Sequence, residues 1–257
     1  MTKPRILLTN DDSHDSPLFH IAIDALSSIG ELSIAVPATE QSWKGKSMSR
    51  HDPVYVDEIN VHGLPAWSIT GTPADCANLA IHELMDTPPD VVVSGINIGK
   101  NIGLGFVYAS GTIGACIEAN IAGLPGLALS QELTPEDFRH WDAEREFPAA
   151  TTALLQAEVG HMVKRVWEHL NPHEISAPIT WNVNFPTLPV KGDAEVVRTR
   201  LGFSTYGSCF TRRGDQYHFG LAEAQIDDTP MTDDQTLKAG SISATLLDIK
   251  DFGQNLA

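Results

Sequence analysis

The segment Arg5-Ile6-Leu7-Leu8-Thr9 is a short apolar run, and Asn10-Asp11-Asp12 follows it at once. An unbroken apolar run, in place of an alternation with polar residues, is the pattern of a parallel strand buried on both faces. Such a strand needs helices on both sides of its sheet, which restricts the chain to an α/β architecture. In open α/β sheets, ligands bind just beyond the carboxyl ends of the strands, and Asp11 and Asp12 fall there. Two adjacent carboxylates repel unless a cation lies between them, and a hard divalent metal is the usual one. A helix N-cap is the plainer reading, but a cap needs one acid and the chain supplies two.

The following segments keep to the same scheme. Leu18, Ile21, Ala22, Ala25, Leu26 and Ile29 recur at helical spacing until Gly30 ends the run. Strand patterns are expected at Leu32 to Val36, 54–57, 66–70, Val91 to Val93, Leu127 to Leu129 and Trp181 to Phe185. The pair 54–57 and 66–70 suggests a hairpin around His62-Gly63. Helices are expected from about Pro73 to Leu84, Thr112 to Ala122 and Ala149 to Leu170. The alternation predicts a Rossmann-like, doubly wound, mainly parallel sheet with right-handed crossovers. Residues 131–148, rich in acids and aromatics, read as a surface insertion. From Val196 onward the pattern is β-like and turn-rich. The expectation is one α/β domain over 1–257, with a core at about 1–190, a β-rich extension at about 196–235 and a closing segment at about 236–257.

The 33 acids against 17 bases give a formal charge of −16, which argues against a protein that grips a nucleic-acid backbone over a broad surface. Phosphate-bearing small molecules stay open, because a metal supplies local positive charge. Cys76, Cys116 and Cys209 form no CxxC pair and are odd in number, so buried reduced thiols are expected. No signal peptide and no membrane span is evident. A cytoplasmic protein is the default.

Three loops follow three of the expected parallel strands: Asn10-Asp11-Asp12, Gln41 to Ser47, and Ser94 to Gly103. In a doubly wound sheet all three open on one rim. Two carboxylates, a hydroxyl and an amide oxygen would then converge, a donor set that suits Mg, Mn or Ca better than Zn. Ser110-Gly111-Thr112 opens a helix of small residues, and a helix start of this kind suits an anion. An ordinary Ser/Thr-capped helix has the same appearance. Gly45-Lys46-Ser47 has the tail of a P-loop, but Glu40 occupies the place of its first glycine, so a Walker A site is rejected. No GxGxxG follows the first strand. His169 and His173 are separated by the helix-breaking Pro172, and most of the ten histidines read as surface or satisfied groups, with His14 the one close to the acid pair.

Taken together, ILLTNDD at 6–12, QS…S from Gln41 to Ser47, GTPADC at 71–76, PDVVVSGINIGKNIG at 89–103, SGTIGA at 110–115 and NVNFP at 182–186 resemble the stationary-phase survival protein SurE family. Thr232-Asp233-Asp234 with Gly240 to Ser243 resembles its closing motif. The resemblance implies a divalent-metal-dependent phosphomonoesterase acting on nucleoside monophosphates. It implies one metal ion, Mg or Mn, held by Asp11, Asp12, Ser42 and Asn97, with phosphate bound by Ser110, Gly111 and Thr112 and Asn101 nearby. Asp11 and Asp12 are the expected catalytic residues, and Asp12 is also a candidate general base or nucleophile. A homodimer or homotetramer joined through the segment from Val196 is implied as well. Two other functions are carried forward: a phosphatase for a non-nucleotide phosphoester, and a non-catalytic metal-dependent nucleotide-binding module. The chain departs from the family at Ser13 and Trp43, where glycine is usual, and at Ala109 before SGT, where the family has tyrosine. The insertion at 131–148 is also longer than usual.

Overall fold

A computed structural model describes residues 3–190, 192–220 and 224–251. β1 (Arg5–Thr9) leads into α1 (Pro17–Ser27), whose Leu18, Phe19, Ala22 and Leu26 are buried. β2 (Glu31–Pro37), β3 (Val56–Val61) and β4 (Leu64–Ile69) follow, and β3 and β4 form the expected hairpin around His62-Gly63. α2 (Pro73–Leu79) is opened by a reciprocal cap between Thr72 and Asp75 and runs on into a wider turn over Ala80–Leu84. Next come β5 (Val91–Ile98), α3 (Gly103–Ala109), α4 (Gly111–Ile121) and β6 (Gly126–Gln131). α5 (Pro135–Glu144) precedes α6 (Ala149–Leu170), and β7 (Ile179–Phe185) completes the expected alternation.

The main sheet has nine strands in the order β3-β4-β2-β1-β5-β6-β7-β13-β8, where β8 is Val196–Thr199 and β13 is Ile242–Asp248. From β4 to β7 every neighbouring pair is parallel. The chain winds outward from β1 through β2 and β4, then returns to β5 on the other side of β1. The switch point therefore lies between β1 and β5, where such sheets leave a crevice. Ile6, Leu8, Val91, Val93, Leu127 and Val183 pack with α1 and α6 on one face, and Leu7 and Val92 pack with Cys76 and Ala119 on the other. Helices on both faces are what the continuous apolar runs require.

Three features add detail to that expectation. The sheet continues past residue 190, because β13 inserts antiparallel beside β7 and parallel to β8. Residues 252–257 of the closing segment lie outside the described residues. The insertion at 131–148 contains α5, capped by Thr134, with Glu136 and Asp137 in its first turn; its surface position hid the helix, since it presents no buried stripe. α3 begins with Gly103-Leu-Gly, a poor helical sequence, and its start is held by Asp233 Oδ2, which accepts from the Gly103 amide at 2.7 Å. Asp233 begins α7 (Asp233–Lys238), so the closing motif acts as a clasp. β9 (Thr205–Tyr206) pairs with β12 (Ala224–Gln225), and β10 (Phe210–Arg213) with β11 (Gln216–Phe219) forms an exposed hairpin.

Candidate active site

Asp11 and Asp12 stand at the carboxyl end of β1, and each is fixed from a different strand-following segment. Thr112 gives Asp11 two bonds: its hydroxyl donates to Oδ1 at 2.8 Å and its amide to Oδ2 at 3.2 Å. The Ile98 amide, at the end of β5, donates to Asp12 Oδ2 at 3.0 Å. The Gln41 amide donates to the Asp11 carbonyl at 2.8 Å, which lays the loop after β2 against the pair. Three loops thus meet at the switch point.

The loop bearing Ser42 is pinned from below. Thr72 Oγ1 donates to the Ser47 carbonyl at 2.6 Å, and both Asp75 oxygens accept from the Ser49 amide at 3.1 Å. Lys46 Nζ lies 2.6 Å from the buried Glu118 of α4. The GTPAD string therefore does more than start α2: its Thr72 and Asp75 anchor the neighbouring loop. Ser42 itself is exposed, and its hydroxyl donates to Glu40 Oε1 at 2.7 Å, not to either aspartate. Asn97 Nδ2 donates to the Gly99 carbonyl at 2.8 Å, which leaves the amide oxygen as the end available to a cation.

Ser110 caps α4, its hydroxyl accepting from the Ile113 amide at 3.2 Å and keeping its own proton to donate. Gly111 is required by the approach of Asp11: a Cβ there would lie 2.9 Å from Asp11 Cβ and 3.0 Å from Oδ2. The Thr112 hydroxyl is committed to Asp11, so the anion at this helix start is first of all a carboxylate of the chain itself. Asn101 is buried, with Nδ2 on Ser130 Oγ at 2.9 Å and 3.5 Å from Thr112 Oγ1. Asn182 and Asn184 grip its backbone, which accounts for NVNFP: two alternate asparagines on one face of β7, buried only because each finds a partner.

Burial pushes the Asp11 carboxyl up to about 6 against the bonds from Thr112. Burial, and then the charge of Asp11, raise Asp12 well above the usual carboxylate range. Glu40 pushes both in the same direction. Three acids crowded at one sheet rim are an environment that a divalent cation relieves. Among the described residues no group of three or more His, Cys, Asp or Glu side chains is arranged to hold a metal. The groups that could hold one here are the two carboxylates, with the Ser42 hydroxyl and the Asn97 amide oxygen on the neighbouring loops, a hard-cation set.

Two residues of the rim were not singled out as functional from the sequence. Glu40 bridges Ser42 and Arg145, with its Oε2 3.0 Å from Arg145 Nη1. Arg145 belongs to the insertion, and no spacing rule connects positions 40 and 145. Trp43 holds a left-handed φ of 63°, a conformation costing about 1–2 kcal/mol for a residue with a side chain. It is packed by Phe106, Tyr206 and Phe219 at 6.0, 5.4 and 5.1 Å between ring centroids. Ser13 is also left-handed, at 69°, with its carbonyl held by Asn10 Nδ2 at 2.7 Å. Both are positions where glycine would be free of strain.

Fold and site together define an open, doubly wound α/β protein with a pair of acids at its switch point. The family model described as "Survival protein SurE" matches residues 6–208. A relative from Methanopyrus kandleri, named 5'-nucleotidase SurE, is 37% identical over 252 residues, covering 95% of this chain and 90% of the relative. One of the same name from Heliobacterium modesticaldum is 34% identical over 251 residues, covering 94% and 85%. The crystal structure of the SurE protein from Aquifex aeolicus superposes with a TM-score of 0.70 at 25% identity, covering 97% of this chain and 96% of that one. The chain belongs to the SurE family.

Proposed function

We infer that the chain is a 5'-nucleotidase, a phosphoric monoester hydrolase that converts nucleoside monophosphates to nucleoside and phosphate. The observation that carries this is the meeting of the loops after β1, β2 and β5 and the start of α4 on one acid pair, the buried Asp11 and the half-buried Asp12, in a chain whose relatives along nearly its full length are named 5'-nucleotidases. One divalent cation, Mg or Mn, would be held by Asp11, Asp12, Ser42 and Asn97, and would supply Lewis acidity toward a water and positive charge opposite the phosphoryl group. Thr112 orients Asp11 for that role. Asp12 has one oxygen outside the Ile98 bond, and as general base it would take the proton from water there. The Ser110 hydroxyl proton and the Gly111 amide, which has no partner within its own helix, remain to hold phosphate oxygens. Asn101 steadies Thr112 and lines the same wall.

No helix among the described residues is long and apolar enough to cross a membrane. Cytoplasmic residence is supported by three free cysteines, of which Cys76 and Cys116 are buried, and burial pushes the Cys116 thiol up to about 12. Assembly as a homodimer or homotetramer is supported by the exposed Phe210, Tyr217 and Phe219 of the β10–β11 hairpin. The test is phosphate release from nucleoside monophosphates and from an aryl phosphate, with Mg or Mn against EDTA. Chelator-sensitive nucleotide turnover is the expected result. Turnover of the aryl ester alone would point to a non-nucleotide phosphoester, and nucleotide binding without release would point to a binding module.

A further inference from the structure

A chain of polar contacts runs from the insertion to the candidate cation ligands. Arg145 ends α5 in a left-handed conformation, φ 58°, with its amide bonded to the Trp141 carbonyl at 2.8 Å. Its guanidinium lies 3.0 Å from Glu40 Oε2, and Glu40 Oε1 accepts from the Ser42 hydroxyl at 2.7 Å. The positive charge of Arg145 also reaches Asp12, where it opposes the upward push of burial and of Asp11.

We propose that Glu40 is a positioning residue for Ser42, fixing the hydroxyl so that its lone pairs face a divalent cation, and that Arg145 holds Glu40 in place. The proposal rests on Asp11, Asp12, Ser42 and Asn97 forming the cation site. A serine hydroxyl that donates to a carboxylate keeps both lone pairs for a hard cation, and the acceptor makes its oxygen a better ligand. Glu40 without Arg145 would add a third uncompensated acid beside the aspartates. The two side chains are 56% and 42% exposed, and ion pairs that open contribute little to fold stability. Their effect belongs in ligand geometry.

The experiment is Mn²⁺ binding to the full chain without substrate, read from the paramagnetic resonance of the free ion. Outer-shell partners of this kind are worth about 10- to 100-fold in metal affinity. Glu40→Ala is expected to weaken Mn²⁺ binding by about that factor, and Arg145→Ala by a smaller factor that Arg145→Lys partly restores. Melting of the metal-free variants should match the parent, and Glu40→Met, which also lacks an oxygen acceptor for the Ser42 hydroxyl, serves if Glu40→Ala does not fold. Because Glu40 acts through the hydroxyl, Glu40→Ala should add little in a Ser42→Ala background, whereas a pure charge effect adds in full. Full additivity, or unchanged affinity in Glu40→Ala, overturns the role of Glu40, and unchanged affinity in Arg145→Ala overturns that of Arg145. Asp11→Asn separates the failures. If it binds Mn²⁺ as the parent does, the cation site itself is wrong; if it loses Mn²⁺ while Glu40→Ala retains it, only the positioning role falls.

Discussion

Thr112 holds Asp11 at both carboxylate oxygens, by its hydroxyl at 2.8 Å and its amide at 3.2 Å. The first turn of α4 therefore aims a side chain of the protein, and the absence of a side chain on Gly111 lets that carboxylate come close. A helix start that looks like a phosphate cradle in the sequence is in the structure also the mount for an acid.

Thr112→Val keeps the shape and the amide bond but removes the hydroxyl donor. Leaving a buried acceptor short of one bond costs about 1–3 kcal/mol. The Asp11 carboxyl should move further above its present value of about 6, and kcat/KM should fall by about 10- to 100-fold, the same range of free energy. Urea unfolding and steady-state kinetics on the variant check both. Parent-like kinetics would show that the hydroxyl does not orient Asp11.

Metal-free protein should lose stability as pH rises through the range in which Asp11 titrates. Its carboxyl sits at about 6 in the folded state against an ordinary 3.8. Between those values the folded chain keeps a proton that the unfolded chain has released. The penalty is absent below pH 3.8 and complete above about pH 6, where it reaches about 3 kcal/mol. Asp11→Asn removes it, so the stability difference between variant and parent in EDTA should grow from pH 4 to pH 7. Saturating Mn²⁺, which favours the ionised pair, should reverse the trend in the parent. A difference that stays constant with pH would sink the assignment.

Much of the candidate site is legible in the chain because its parts are local. A buried strand followed by two acids, and a Ser-Gly-Thr helix start, announce themselves within a few residues. The continuous apolar runs at β1 and β5 likewise gave the sheet its class. What stayed hidden depends on contacts between distant positions. Asp233 restrains Gly103 across 130 residues, Asn184 supports Asn101 across 83, and Arg145 reaches Glu40 from a helix with no buried stripe. β13 has no such local signature, because a C-terminal strand that slips between β7 and β8 breaks the β-α alternation of the rest of the sheet. The glycine departures at Ser13 and Trp43 were visible as letters, but only the backbone shows that both sit at positive φ.

Lys46→Met should damage stability and activity together. Lys46 Nζ lies 2.6 Å from Glu118 Oε2, and the Glu118 side chain is 6% exposed; removing one partner of such a pair typically costs about 3–5 kcal/mol. Asn78, which donates to the other Glu118 oxygen at 2.7 Å, softens the loss. The double variant Lys46→Met/Glu118→Gln should recover most of the stability without restoring activity, since the Ser42 loop still lacks its tie to α4. Denaturant unfolding and turnover measured in parallel decide this. Full activity in the double variant would mean that the tie is not needed to place Ser42.

Gly114→Ala sets two effects of opposite sign against each other at one atom. Within α4, alanine is favoured over glycine by about 1 kcal/mol. A Cβ at Gly114 would however lie 2.3 Å from the Gly45 carbonyl oxygen and 3.0 Å from Lys46 Cα, both backbone. That loop cannot retreat freely, because the Gly45 amide bonds the Ala109 carbonyl at 2.9 Å and Thr72 and Asp75 hold the residues that follow. Displacement should win, with net destabilisation and a loss of activity of at least about tenfold, as misplacing a ligand loop by an ångström brings about. Gly160→Ala in α6 is the matched control. Its Cβ would meet only Ile21 Cγ2 at 4.0 Å, so it should gain up to about 1 kcal/mol and leave turnover unchanged. If both variants behave like Gly160→Ala, the close packing of α4 on the Ser42 loop does not govern the site.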